Sequence, residues 1–170
     1  MKTRQRDRGA PEPQTPWNEV VPRLWMGGHV WSRPNGEPRP AVVGSQFDLV
    51  ISLFNQPDHG PDPGVNHLLV EIPDASLTPG QLHSVQQLAA TAAQAIRRNQ
   101  TVLVRCHYGY NRSGLVIAQA LIELGHDAPT AIALIRRNRS PRALNNQLFE
   151  HYLTTGLDIA ALLVGLDAGD

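Results

Sequence analysis

The chain has 170 residues, a formal net charge of +0 and 41% hydrophobic residues, which suits one domain with a single core. That neutral balance argues against broad electrostatic binding to nucleic acid. No stretch approaches the ~18 consecutive apolar residues of a membrane span, and Met1–Ala10 lacks the apolar segment of a secretory signal. One cysteine excludes an internal disulfide and fits a reducing compartment, so a cytoplasmic protein without a membrane partner is expected.

Residues 1–16 are polar, basic and Pro-rich and read as a disordered tail. The core is expected to begin near Trp17, with Trp17, Trp25 and Trp31 as packing residues. Arg33–Pro40 reads as a loop by its Pro and Gly content, and so does Gln56–Gly64. His67–Ile72 reads as a strand. Thr78 can cap a following helix with Pro79 at its first position. Leu82, Val85, Leu88, Ala89, Ala92, Ala93 and Ile96 then form an apolar stripe at helical spacing. Thr101–Arg105 is β-branched and apolar and suits a buried strand. Strand, helix and strand of these lengths make a crossover between parallel strands.

A helix is expected from Ser113 to Ile122, ending near Gly125. Asp127 can cap another that runs through Ile132 and Ile135. Its closing arginines, Arg136, Arg137, Arg139 and Arg142, read as a solvated face suited to a helix C-terminus. Residues 156–170 lose clear patterning and end acidic. The seven histidines show no metal-ligand spacing, and no Walker loop or GxGxxG is present, so no metal or cofactor is expected.

The chemistry concentrates in Cys106-His107-Tyr108-Gly109-Tyr110-Asn111-Arg112-Ser113-Gly114. This segment joins a strand to a helix, and the helix aims its free N–H groups and positive dipole end at the loop. Consecutive amides in such a loop form an anion nest. Arg112 can grip two phosphate oxygens in its planar fork. The same field favours the thiolate form of a cysteine placed there, ready for in-line attack on phosphorus. Ser113 is placed to hydrogen-bond the sulfur and ease its departure.

The segment resembles the signature loop of the cysteine-dependent protein tyrosine phosphatases, above all the compact dual-specificity group. Pro22–Gly28 resembles the opening strand of that domain, Phe47–Leu53 its next core strand and Asn145–Leu153 its closing helix. The likeness covers residues 17–155, leaving 156–170 as a C-terminal tail. It implies an α/β fold: a central, mostly parallel sheet flanked by helices on both sides.

The resemblance further implies a phosphatase for phosphotyrosine, phosphoserine or phosphothreonine, acting through a phosphocysteine. Cys106 would be the nucleophile. Arg112 and the loop His107–Asn111 would bind phosphate, and Ser113 would assist the thiolate. Asp74, in a loop matching the one that carries the family's general acid, would act as acid and then base. Asp58 is the second candidate acid. His107, Tyr108 and Tyr110 could wall the pocket. The expected partner is a phosphorylated protein or a small phosphomonoester.

Two departures open alternatives. The family places His before the nucleophile where this chain has Arg105, which allows a catalytically weak phosphate-binding pseudophosphatase. Asn111 beside Tyr110 also resembles the RNA 5′-triphosphatase branch, although the neutral charge disfavours a nucleic acid partner.

Overall fold

β-Branched and apolar residues with no charge before Arg105 suit a strand buried on both faces. Val102–Arg105 forms that strand, here β7, and is buried at all four positions. The structure is a computed structural model and describes residues 6–168. β7 lies at the centre of a five-stranded sheet. On one side stand β2 (Leu24–Gly27) and then β1 (Trp17–Val21). On the other stand β5 (Leu49–Ser52) and then β6 (Asn66–Leu69). All pairings are parallel except β1 with β2. The short strands β3 (Val30–Trp31) and β4 (Arg39–Pro40) pair separately. The expected mostly parallel sheet is therefore present.

Alternation along the strands divides the sheet's two faces. Leu24, Met26, Leu49, Ile51, Val102 and Val104 share one core with all five helices. These helices are α1 (Pro79–Arg97), α2 (Arg112–Glu123), α3 (Ala128–Asn138), α4 (Gln147–Thr155) and α5 (Leu157–Ala168). Val50 and Leu103 point the other way, into a small cluster with Val43 and Phe47. Phe47 there meets Trp17 and Trp25 edge-on, at ring distances of 5.6 and 5.9 Å.

Among the described residues, helices thus flank the sheet on one face only, not on both as expected. The chain between β2 and β5 is rich in Pro and Gly and forms no helix, so aromatic side chains cover the second face instead.

α1 starts as its sequence dictates. Thr78 Oγ1 accepts from the Gln81 amide at 3.1 Å, and Gln81 Oε1 accepts from the Thr78 amide at 2.9 Å, with Pro79 at the first turn. α1 joins β6 to β7, and both strands run parallel to β5. Asp127 caps α3 through the Thr130 amide at 2.8 Å. The expected strand His67–Ile72 is shorter and shifted, to Asn66–Leu69.

Both stretches read as tails make ordered contacts. α5 buries Leu157 and Ala160 in the main core while Ile159, Leu162 and Leu166 face outward. An apolar composition on every side hid its periodicity. At the other end, Arg6–Gly9 forms a 3-10 turn, and the chain that follows bonds to the segment after β2. The carbonyls of Pro13 and Pro16 accept from the Ser32 and Gly28 amides at 2.9 and 3.2 Å. Residues 1–5 of that expected tail lie outside the described residues.

Leu157→Ala is expected to cost about 2–5 kcal/mol, as for other buried Leu truncations. A urea midpoint shift would show it; an unchanged midpoint would mean that α5 does not belong to the cooperative unit.

Candidate active site

Cys106 follows the end of β7, and Arg112 opens α2. The five residues between them turn on the scaffold through their carbonyls. The His107 carbonyl accepts from the His29 amide at 2.7 Å, and the Tyr110 carbonyl from the Leu144 amide at 2.9 Å. Between them, the Tyr108 and Gly109 carbonyls accept from Arg139 Nη2 and Nε at 2.9 and 3.2 Å. A trans peptide points its C=O and N–H in opposite directions. Holding four successive carbonyls outward therefore turns the amides of Tyr108, Gly109, Tyr110 and Asn111 toward the loop's centre.

Close approach fixes the glycines. Gly109 has φ +77, and a Cβ there would meet the Gly27 carbonyl oxygen at 2.5 Å. A Cβ on Gly28 would meet the His107 oxygen at 2.5 Å.

Arg139 is the strongest departure from the expected solvated arginine face. Only 8% exposed, it grips the loop's back and also donates to Asn18 Oδ1 at 2.8 Å and to the Thr15 carbonyl at 3.1 Å. Burial lowers its pKa to about 10, with Tyr110 and Cys106 acting in the opposite sense, so it stays charged at neutral pH. A four-residue step from Ile135 continues the buried stripe of α3 to this position, and that was the signal available in the sequence.

The Cys106 sulfur lies 3.3 Å from Ser113 Oγ, and both residues are buried. Arg112 lies with its guanidinium carbon 5.3 Å from the centre of the Phe54 ring. Its Nε is buried and has no hydrogen-bond partner. A buried donor without an acceptor calls for a ligand or water. Asn111, the N-cap of α2, makes no side-chain cap bond, so the helix's first amides are not occupied by it.

The Asn111 side chain is spent elsewhere. Nδ2 donates to Asp74 Oδ2 at 3.0 Å and to Asn145 Oδ1 at 2.9 Å, while Oδ1 accepts from the Asn146 amide at 2.9 Å. Asn146 Nδ2 reaches the other Asp74 oxygen at 2.9 Å, where Arg8 also pairs at 3.4 Å. Asp74 is thereby tied to the residue preceding Arg112. Asp58 instead borders a separate cavity behind Phe54.

Of the expected pocket walls, Tyr110 packs beneath the loop, its hydroxyl donating to the Pro11 carbonyl at 2.7 Å. Tyr108 is buried and stacks on His107 at 4.9 Å. Half-buried His107 lies 5.0 Å from Phe54, which the sequence reading did not single out.

Arg105 is 1% exposed and points to the helix-free face. Its Nε donates to Ser52 Oγ at 2.9 Å, Nη1 to the His59 carbonyl at 2.8 Å and Nη2 to the Gly60 carbonyl at 2.6 Å. Burial lowers its pKa to about 10. Beside it, burial first and then the Arg105 charge lower His29 to about 3. Among the described residues no His, Cys, Asp and Glu cluster could hold a metal ion.

No family model and no curated protein sequence matches the chain. Solved structures do. Human DUSP28 superposes with a TM-score of 0.61 at 23% identity, covering 85% of this chain and 99% of its own. Tk-PTP in its active form gives 0.56 at 19%, covering 82% and 96%. The human tyrosine phosphatase-like serine/threonine/tyrosine-interacting protein gives 0.57 at 16%, covering 87% and 97%. The fold is that of the cysteine-dependent tyrosine and dual-specificity phosphatases.

Replacing Arg139 by Met is expected to weaken inorganic phosphate binding at least about tenfold, because charged hydrogen bonds worth roughly 1.5–3 kcal/mol each hold the loop. Phosphate titration of the folded variant checks this; unchanged affinity would mean the loop stands without that clamp.

His29 also gives a pH signature. Its folded pKa lies near 3, below the ordinary 6.5, so the unfolded chain binds the extra proton between those values. Stability is expected to fall as pH drops below 6.5, with His29→Asn flattening that slope in urea titrations at several pH values.

Proposed function

We propose that the protein is a phosphatase that hydrolyses phosphomonoesters of tyrosine, serine or threonine in proteins through a phosphocysteine. The observation that carries this reading is the loop itself. Four outward-tied carbonyls turn amides inward between a buried cysteine and an arginine whose buried Nε is unpartnered.

Cys106, as the thiolate, attacks phosphorus, forming the S–P bond as the ester P–O bond breaks. Loop amides and Arg112 hold the three equatorial oxygens, whose charge grows in the transition state. Asp74, protonated, gives its proton to the leaving oxygen. Water then attacks phosphorus, losing its proton to Asp74, and the sulfur departs as a thiolate that Ser113 Oγ can hydrogen-bond. Phosphate leaves and Cys106 is restored. A reducing, cytoplasmic setting belongs to this reading, since the only cysteine has no internal partner for rescue after oxidation. Among the described residues, no helix is long and apolar enough to cross a membrane.

The features behind the two alternatives have structural uses. Asn111 holds Asp74, and Tyr110 binds the Pro11 carbonyl, so neither needs an RNA end to explain it. Arg105 occupies the opposite face of the sheet from Cys106 and directs three of its five N–H groups to neutral acceptors.

The test is p-nitrophenyl phosphate hydrolysis in chelator and reductant. Turnover is expected in the wild type and none in Cys106→Ser. Asp74→Asn is expected to lose roughly 10²–10⁴-fold on a poor leaving group, the range of general acid catalysis. Phosphate binding without turnover would replace this reading with the pseudophosphatase. Faster γ-phosphate release from triphosphate-ended RNA would replace it with the triphosphatase.

A further inference from the structure

Phe54 lies against the Arg112 guanidinium and His107. It also meets the His29 ring at 5.7 Å and borders a cavity of about 150 Å³ on the helix-free face of the sheet. That volume has room for roughly five waters, or for one tetrahedral oxyanion. His29, Ser52, Asp58, His67 and Arg105 line it with Phe54.

The chemistry of this lining is unusual. Arg105 is a buried cation held by three neutral acceptors. A guanidinium has five N–H groups, so two remain for a ligand. A charge taken out of water without a counter-charge is costly. His29 is 1% exposed, and its Nδ1 is buried with no partner. The His29 Nε2 must carry the hydrogen, because it faces the Phe54 carbonyl at 3.1 Å. In the neutral ring Nδ1 is then a vacant acceptor.

Ser52 Oγ accepts from Arg105 and lies 2.8 Å from His67 Nε2. The residues lining the cavity therefore carry the two remaining Arg105 N–H groups and one buried acceptor, His29 Nδ1. Asp58 at the mouth adds a carboxylate, which disfavours a dianion.

We propose that this cavity is a second oxyanion site that takes a phosphoryl group in its monohydrogen form, accepting from Arg105 and donating to His29 Nδ1. The ligand is either free phosphate or a second phosphoryl group on the molecule whose first group occupies the Cys106 loop. Only the latter use rests on the phosphatase reading.

Inorganic phosphate titrated calorimetrically into the full chain is expected to fill two sites. Arg112→Ala should abolish one and leave the other. Arg105→Gln should abolish that other one and keep the Arg112 site, which also reports that the variant is folded. Should Arg105→Gln fail to fold, Asp58→Asn decides. Removing an exposed charge from the mouth is expected to tighten the second site roughly two- to fivefold. A single site that vanishes in Arg112→Ala overturns the proposal, as does a second site indifferent to both Arg105→Gln and Asp58→Asn.

The source is read from a peptide carrying two adjacent phosphoryl groups against the same peptide carrying one. A KM at least about fivefold lower for the doubly phosphorylated peptide, with the gap closed by Arg105→Gln, assigns the site to substrate. Equal KM values with two phosphate sites assign it to free phosphate. If neither peptide is hydrolysed, the phosphatase reading falls, while the count of phosphate sites still decides the inference.

Discussion

One guanidinium sets the polarity of the loop between β7 and α2. Arg139 lies behind the loop and takes two neighbouring carbonyls, those of Tyr108 and Gly109, in one planar fork. With those oxygens drawn back, the loop has one way to arrange its peptide planes, and the amides converge at the front. The dipole of α2 and Arg112 add to a field already directed by that choice. Lys could not copy this, since it presents a point charge rather than a fork. The close approach of Gly109 and Gly28 lets the backbone fit between Arg139 and β2. The inward course of the loop amides follows from carbonyls turned away from the centre.

A second constraint joins Asp74 to the loop after β7. Asp74 arrives from the loop before α1 and Asn146 from the loop before α4, and both meet at Asn111. The carboxylate position is thus referenced to the residue before Arg112 as well as to its own loop. A shift of α4 would be felt at Asp74 through Asn146, so the closing helix bears on that carboxylate as well as on the core.

The sequence carried the local rules and lost the distant ones. Cys106, Arg112 and Ser113 stood out because eight consecutive residues hold a thiol, a guanidinium and a hydroxyl at fixed spacing. The α1 boundary was legible because Thr78, Pro79 and Gln81 satisfy the helix start among themselves. Phe54 was invisible because its partners, Arg112 and His107, lie more than fifty residues away. Arg139 looked like one more surface arginine, since nothing within its helix reveals the carbonyls it reaches. α5 failed for a different reason: a helix apolar on every side has no stripe to detect. The absence of helices on the second face depended on how the Pro-rich chain after β2 packs, which local propensity does not decide.

The stretch from Ala10 to Pro16 acts as a row of acceptors. Its prolines lack N–H groups, so it asks for little hydrogen bonding of its own while lending carbonyls to Gly28, Ser32, Tyr110 and Arg139. A polypeptide trimmed to the apparent domain start at Trp17 would keep every strand and helix of the sheet and its main core. It would nonetheless remove the Pro11 carbonyl that accepts from the Tyr110 hydroxyl and the Thr15 carbonyl that accepts from Arg139 Nη1. The border drawn by hydrophobic pattern and the border drawn by hydrogen bonds to the loop after β7 fall at different residues in this protein.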